Sequence, residues 1–180
     1  MKVKVYIAFL LSCLVTISAY AQLPEQDCSG AIPVCQNVYV QPNSYAGEGT
    51  QELTFGNSSC LTSGEENSVW YIWTVNVSGS LEFEITPINN FDDYDWAVYD
   101  LTNASCADII TGAAPEVRCN YSAIPGATGL SNPYVLTSVG AGGPNQCQPM
   151  SVVVGETYVL VINNHDGLIG GYTLSFGGSA

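Results

Sequence analysis

The sequence predicts an all-β fold: an antiparallel β-sandwich, jelly-roll-like, of about 8–10 short strands stapled by disulfides. Three observations predict it. Apolar residues recur with period two through residues 69–86 and again at Tyr172, Leu174 and Phe176, a strand signature rather than a helical one. Gly, Pro, Asn and Ser clusters interrupt the chain at short intervals. Six cysteines follow a hydrophobic leader, an even number in a chain with the marks of export.

The leader comes first in the chain. Lys2 and Lys4 precede a mostly apolar run over 5–17, and Ala19-Tyr20-Ala21 fits the small-x-small cleavage rule. Residues 1–21 therefore read as a signal peptide and 22–180 as a single sandwich domain. The apolar run is too short for a good membrane span, so the processed chain is expected outside the cell, at the cell surface, without membrane insertion. Cleavage leaves Arg118 as the only fixed cation against 16 acids. Such a surface repels phosphate backbones and anionic lipid heads, excludes nucleic acid as a partner, and attracts cations.

Cys28, Cys35, Cys60, Cys106, Cys119 and Cys147 all read as disulfide cysteines, since a zinc site would need close pairs that are absent. Cys106 and Cys119 bracket a turn-rich loop between two candidate strands and are the best pair. Cys28–Cys35 could close a tight loop, leaving Cys60–Cys147; the other connectivities stay open.

Residues 28–45, with Pro33 and Pro42, read as edge structure, and 51–55 as a short strand. Val69, Tyr71, Trp73, Val75 and Val77 then alternate with Trp70, Ile72, Thr74 and Asn76, and Leu81, Phe83 and Ile85 with Glu82 and Glu84. A hairpin through Ser78-Gly79-Ser80 would set Val77 opposite Leu81, Val75 opposite Phe83 and Trp73 opposite Ile85. Further on, Trp96 and Val98 point one way, and Asp95, Ala97 and Tyr99 the other. Residues 102–149 are turn-rich, with strands expected only at 117–121 and 134–139. A second hairpin is expected from 150–154 and 157–163. Both faces of the latter are apolar, which predicts a central strand covered on each side. The closing strand carries Tyr172, Leu174 and Phe176. No helical period follows the leader.

Two loops are rich in hard oxygen donors. Asp92, Asp93 and Asp95 sit just before one strand, and Asn163, Asn164 and Asp166 just after another. If those strands are neighbours, the six residues could gather around calcium, which takes carboxylate, amide and carbonyl oxygens from loops. Asp and Asn are also ordinary turn formers. Trp70, on the outer face of its strand, is the candidate for stacking on a glycan, unless a loop covers it. His165, the only histidine, has no nucleophile motif or second imidazole to work with. Paired acids that could cleave a glycosidic bond cannot be singled out among so many.

Six segments carry a family resemblance: Asp27-Cys28-Ser29-Gly30-Ala31-Ile32, Asn67-Ser68-Val69-Trp70-Tyr71-Ile72-Trp73, Asp92-Asp93-Tyr94-Asp95-Trp96-Ala97-Val98-Tyr99-Asp100-Leu101, Cys119-Asn120-Tyr121-Ser122, Gly155-Glu156-Thr157-Tyr158-Val159-Leu160-Val161 and Gly171-Tyr172-Thr173-Leu174-Ser175-Phe176-Gly177-Gly178. Over nearly all of the processed chain they resemble an N-terminal domain of large secreted Bacteroidetes surface proteins, which often end in a gliding-motility-associated or type IX sorting domain. The Asp-rich strand entry and the closing strand resemble, more loosely, the bacterial pre-peptidase C-terminal domain. The resemblance implies a cell-surface β-sandwich with adhesive or accessory roles and no catalytic residues. The expected function is thus a secreted adhesion or binding module, with calcium as its ion and a glycan or surface protein as its partner. The alternatives are a self-associating subunit of an extracellular assembly and a carbohydrate-active accessory domain or enzyme.

Overall fold

The computed structural model describes residues 24–53, 59–167 and 170–180. The signal peptide and the second half of the strand expected at 51–55 lie outside the described residues; 51–53 is not strand. Two sheets pack face to face, as the alternation requires. The first has the order β1 (Ile32–Pro33), β3 (Val69–Thr74), β11 (Thr157–Asn164), β5 (Tyr94–Asp100), β6 (Glu116–Asn120), β8 (Ser138–Val139). The second runs β2 (Val38–Asn43), β12 (Gly170–Gly178), β4 (Gly79–Pro87), β7 (Thr128–Leu130), β9 (Gln146–Cys147), with β10 (Met150–Val152) also on β4. The pairings are antiparallel apart from three short parallel ones, β1 with β3, β6 with β8 and β7 with β9.

Neither expected hairpin forms. β3 and β4 lie in different sheets, as do β10 and β11, so each tight connection is an arch that crosses the sandwich. The two arches clasp each other: Gly155 N donates to Val75 O at 2.9 Å, and Val75 N to Glu156 O at 2.8 Å. The facing of side chains survives this correction. Tyr71, Trp73 and Val75 meet Leu81, Phe83 and Ile85 across the core rather than along a ladder. Alternation fixes which side chains point inward; it cannot tell a hydrogen-bonded neighbour from a partner on the opposite wall. Val77, in the arch itself, is 58% exposed.

The inter-sheet core holds Trp96, Phe83, Tyr172 and Leu174 among its largest members, with Phe83 edge-on to Trp96 at 4.9 Å. Several of its polar tips pair internally: Trp96 Nε1 donates to Thr128 Oγ1 at 2.8 Å, and the Tyr71 and Tyr172 hydroxyls meet at 2.9 Å, whereas Trp73 Nε1 is buried without a partner. β2 and β1 lie at the edges of the two sheets, as their prolines suggest. Of the strand expected at 134–139 only β8 forms, and Tyr134, Val135 and Leu136 are exposed.

A second apolar cluster covers the outer face of the first sheet. Trp70, Ala97, Tyr99, Val159 and Val161 pack there against Leu53, Leu61, Leu101 and Ile109. β11 is central and buried on both sides, as its doubly apolar pattern predicts. The cover has little regular structure. It includes one five-residue helix, α1 (Cys106–Ile110), capped by Ser105, whose N and Oγ donate to Asp108 Oδ2 at 2.8 and 2.7 Å. One turn is too short to show a helical period, though Ser105-x-x-Asp108 is a legible cap.

Two disulfides pin this cover, Cys28–Cys106 and Cys60–Cys119. The expected Cys106–Cys119 pair is therefore wrong, because Cys106 lies on α1 against the N-terminal turn. Cys28–Cys35 and Cys60–Cys147 fail for a topological reason. Cys28 and Cys60 belong to the cover, whereas Cys35 is exposed beyond the edge strand β1 and Cys147 is buried in the inter-sheet core. Cys35 and Cys147 are free thiols. Burial raises the Cys147 thiol pKa to about 11. With loops of 78 and 59 residues closed, each bridge restricts the unfolded chain by about 4 kcal/mol on the loop-entropy argument. Disulfides of this kind fit an oxidising compartment. Among the described residues no helix is long and apolar enough to cross a membrane.

Candidate functional site

At one end of the first sheet, a row of polar side chains crosses four strands. The β5–β11 register sets Asp95 opposite Asn163. β3 pairs with β11 as far as Val69 and Ile162, so Ser68 comes next to Asn163 one step on. β6 pairs with β5 as far as Asn120 and Trp96, which brings Tyr121 beside Asp95. Residues two positions along these strands, Trp70, Val161, Ala97 and Cys119, all belong to the outer cluster. Period two therefore puts Ser68, Asn163, Asp95 and Tyr121 on the outer face too. A cavity of about 210 Å³ opens there, lined by Asp93, Asp95, Tyr121 and His165 and by the turn 60–63 of the cover.

The surrounding loops are laced tightly. Gly64 turns the chain at φ +89°, where a side chain would also press on Gln51 Oε1 at 2.7 Å. Asn67 holds a left-handed conformation at φ 50°, which Asn adopts more readily than most residues, and its amide ties distant segments together. Its Oδ1 accepts from Gly47 N at 2.9 Å and its Nδ2 donates to Asn164 O at 3.2 Å. Asn164 N donates to Glu66 O at 3.0 Å, and His165 N to Asp93 O at 3.1 Å. Four chain segments, at Gly47, Glu66–Asn67, Asp93 and Asn164–His165, are thereby fixed around the row.

Its electrostatics are unbalanced. Asn163 is 3% exposed and Ser68 0%. Asn163 Nδ2 donates to Gly64 O at 2.8 Å, but Asn163 Oδ1, Ser68 Oγ and Asp95 Oδ1 are buried without a hydrogen-bond partner. A buried polar atom left so costs about 1–3 kcal/mol. Burial, reinforced by Asp93, Glu66 and Asp166, pushes the Asp95 carboxyl up to about 7. Asp93 is raised as well, chiefly by burial and then by Asp166. His165 Nδ1 lies 3.4 Å from Glu66 Oε2 at the surface, the one group near the row, among the described residues, able to carry positive charge.

The six expected ion ligands are thus divided by the sheet. Asp95 and Asn163 stand opposite each other on the outer side, with Ser68 next in the row, and Asp93, Asp166 and Glu66 act on Asp95 as nearby charges, although no three of these acids bring their oxygens within 4.8 Å of one another. Asp92 and Asn164 serve the inner side. Asp92 Oδ1 accepts from Asn89 Nδ2 at 2.8 Å, and Gly170 leaves room for its other oxygen. Asn164 Nδ2 donates to Ser44 Oγ at 2.5 Å. Ser68 escapes a search for acidic motifs; the signal for it is its place two residues before Trp70 on the same strand face.

Trp70 is not a displayed ring. It is 0% exposed under the cover, tilted against Tyr99, and its Nε1 donates to Glu65 Oε1 at 2.7 Å. Glu65 Oε2 in turn accepts from Glu52 N at 2.9 Å, and Glu52 Oε1 from Cys28 N at 3.0 Å. Burial and the facing Glu52 carboxyl push Glu65 up to about 9, and burial raises Glu52 too, so this pair shares a proton inside the cover. Among the described residues, the only group of three or more His, Cys, Asp and Glu side chains within metal-binding distance of one another is Cys60, Glu116 and Cys119. Two of those three are joined as a disulfide, and Glu116 accepts from Ser59 Oγ at 2.7 Å.

No protein-family model matches the chain, and no curated protein matches it.

Proposed function

We propose that the chain is a secreted, non-catalytic binding module of the cell surface whose outer-face row holds a calcium ion. One observation carries the reading: three buried oxygens on adjacent strands, from Asp95, Asn163 and Ser68, have no partner. Calcium takes six to eight oxygen ligands at ~2.3–2.6 Å in flexible geometry, a demand met by carboxylate, amide and hydroxyl oxygens together. Zinc prefers nitrogen and sulfur, and magnesium demands a stricter octahedron. Asp93 is the fourth ligand, with Glu66 and Asp166 adding negative field. The disulfides, the leader and the resemblance to secreted Bacteroidetes surface domains support the location.

The test is thermal unfolding of the processed, oxidised protein in calcium and in chelator. Binding at 100 times Kd stabilises by about 2.7 kcal/mol. For a domain of this size that raises Tm by roughly 5–10 °C. The Asp95→Asn protein, relieved of a buried charge, should keep its midpoint in chelator and lose the calcium increment. Superimposable wild-type curves would remove the ion from the site.

A further inference from the structure

The cavity beside the row is built for a particular kind of ligand, and the geometry points to a neutral sugar ring that presents two adjacent hydroxyls to the bound cation and lies against Tyr121. This deepens the calcium reading and rests on it. Asp95 belongs both to the buried row and to the cavity lining, so an ion held by its carboxylate borders the open space. The protein offers four ligands there, Asp95, Asn163, Ser68 and Asp93, which leaves coordination positions for oxygens from outside.

The walls set the shape and polarity of the guest. Tyr121 is 38% exposed, and Ala123 and Ala141 continue its wall. That wall is rigid, since Tyr121 N donates to Val139 O and Ala123 N to Ala141 O, both at 3.1 Å. Gly140 lets the Tyr121 ring lie close; a Cβ there would stand 3.1 Å from its hydroxyl oxygen. An aromatic ring and small apolar neighbours beside a polar, cation-bearing floor match a pyranose, which has one C–H face and a hydroxylated rim. The cavity, at about 210 Å³, is smaller than the ~300–1,000 Å³ of drug-sized pockets and admits one ring rather than a chain.

Charge selects a neutral guest. Four carboxyl groups, those of Asp93, Asp95, Glu66 and Asp166, surround the site of a single divalent ion, so an acidic peptide or a uronate meets an acidic rim where a diol does not.

The test is saturation-transfer NMR on the oxidised protein with methyl α-D-mannopyranoside and methyl β-D-galactopyranoside. Calcium uptake is measured on the same sample by calorimetry. Transfer to the sugar is expected in calcium, is abolished by chelator, and falls about tenfold in Tyr121→Ala while calcium uptake stays. Tyr121→Phe retains it. Calcium uptake without sugar transfer overturns the sugar and leaves the ion. Absent calcium uptake overturns the ion and, with it, this inference. Transfer that persists in chelator, or binding of an acetylated aspartyl peptide in preference to either sugar, also overturns it.

Discussion

The Glu52–Glu65 pair makes stability depend on pH in a direction opposite to that of an ordinary surface carboxylate. Glu65 in the folded protein holds its proton up to about 9, against 4.5 as its ordinary value. Between those two values the folded state binds a proton that the unfolded state has released. Its contribution to stability is therefore complete below pH 4.5 and is lost as pH rises towards 9. The slope reaches about 1.4 kcal/mol per pH unit for one proton, or about 3 kcal/mol from pH 6 to pH 8. With a urea m-value near ~2 kcal/mol/M, the midpoint should fall by about 1.3 M across that interval. Asp95, Asp93 and Glu116 are raised as well and act in the same direction, so the wild-type slope alone does not isolate the pair. The Glu65→Gln variant does. Its amide cannot ionise, and its oxygen can still accept from Trp70 Nε1. Urea titrations in chelator at pH 5, 6, 7 and 8 should show a shallower pH slope for the variant than for wild type. Equal slopes, or a wild-type midpoint that rises from pH 6 to 8, would refute the shared proton.

Two further predictions concern the cover. Trp70→Ala should destabilise by about 3–5 kcal/mol, read as a large fall in urea midpoint, because it empties a fully buried site and leaves Glu65 without its donor; a loss below ~1 kcal/mol would mean that the ring is displayed after all. Thiol titration of the native, oxidised protein should find one reactive group, Cys35, and a second, Cys147, only after denaturation. Finding none would restore the third disulfide expected from the even cysteine count.

Much of the strand content is legible because period-two alternation is a local consequence of backbone geometry. Tyr71, Trp73, Leu81, Phe83 and Ile85 announce an inward face whatever their strands pair with. The doubly apolar residues 158–162 announce a strand covered on both sides, and β11 is one. The same alternation suggested two hairpins and was misleading there, because an arch and a hairpin use similar tight connections. The choice between them depends on strands far away, such as β12 and β7 on either side of β4. The acidic loop at 92–95 and the Asn-rich loop at 163–166 were legible as oxygen donors, but pleating divides them between the two faces of one sheet. Asp92 and Asn164 fall on the wrong side by a single residue each.

The sequence by itself determined the class of structure, the inward faces and the chemical character of the rim, since each follows from neighbours a few residues apart. Tertiary structure alone decided which cysteines meet, that Trp70 lies beneath a cover, and that Ser68 joins Asn163 and Asp95. Those three outcomes depend on contacts across 78, 59 and more residues, among them the ladder that carries Val69 to Ile162. The physical reason is that side-chain direction is set by the local backbone, whereas partnership is set by which sheet each strand enters, a choice made by the whole chain folding at once.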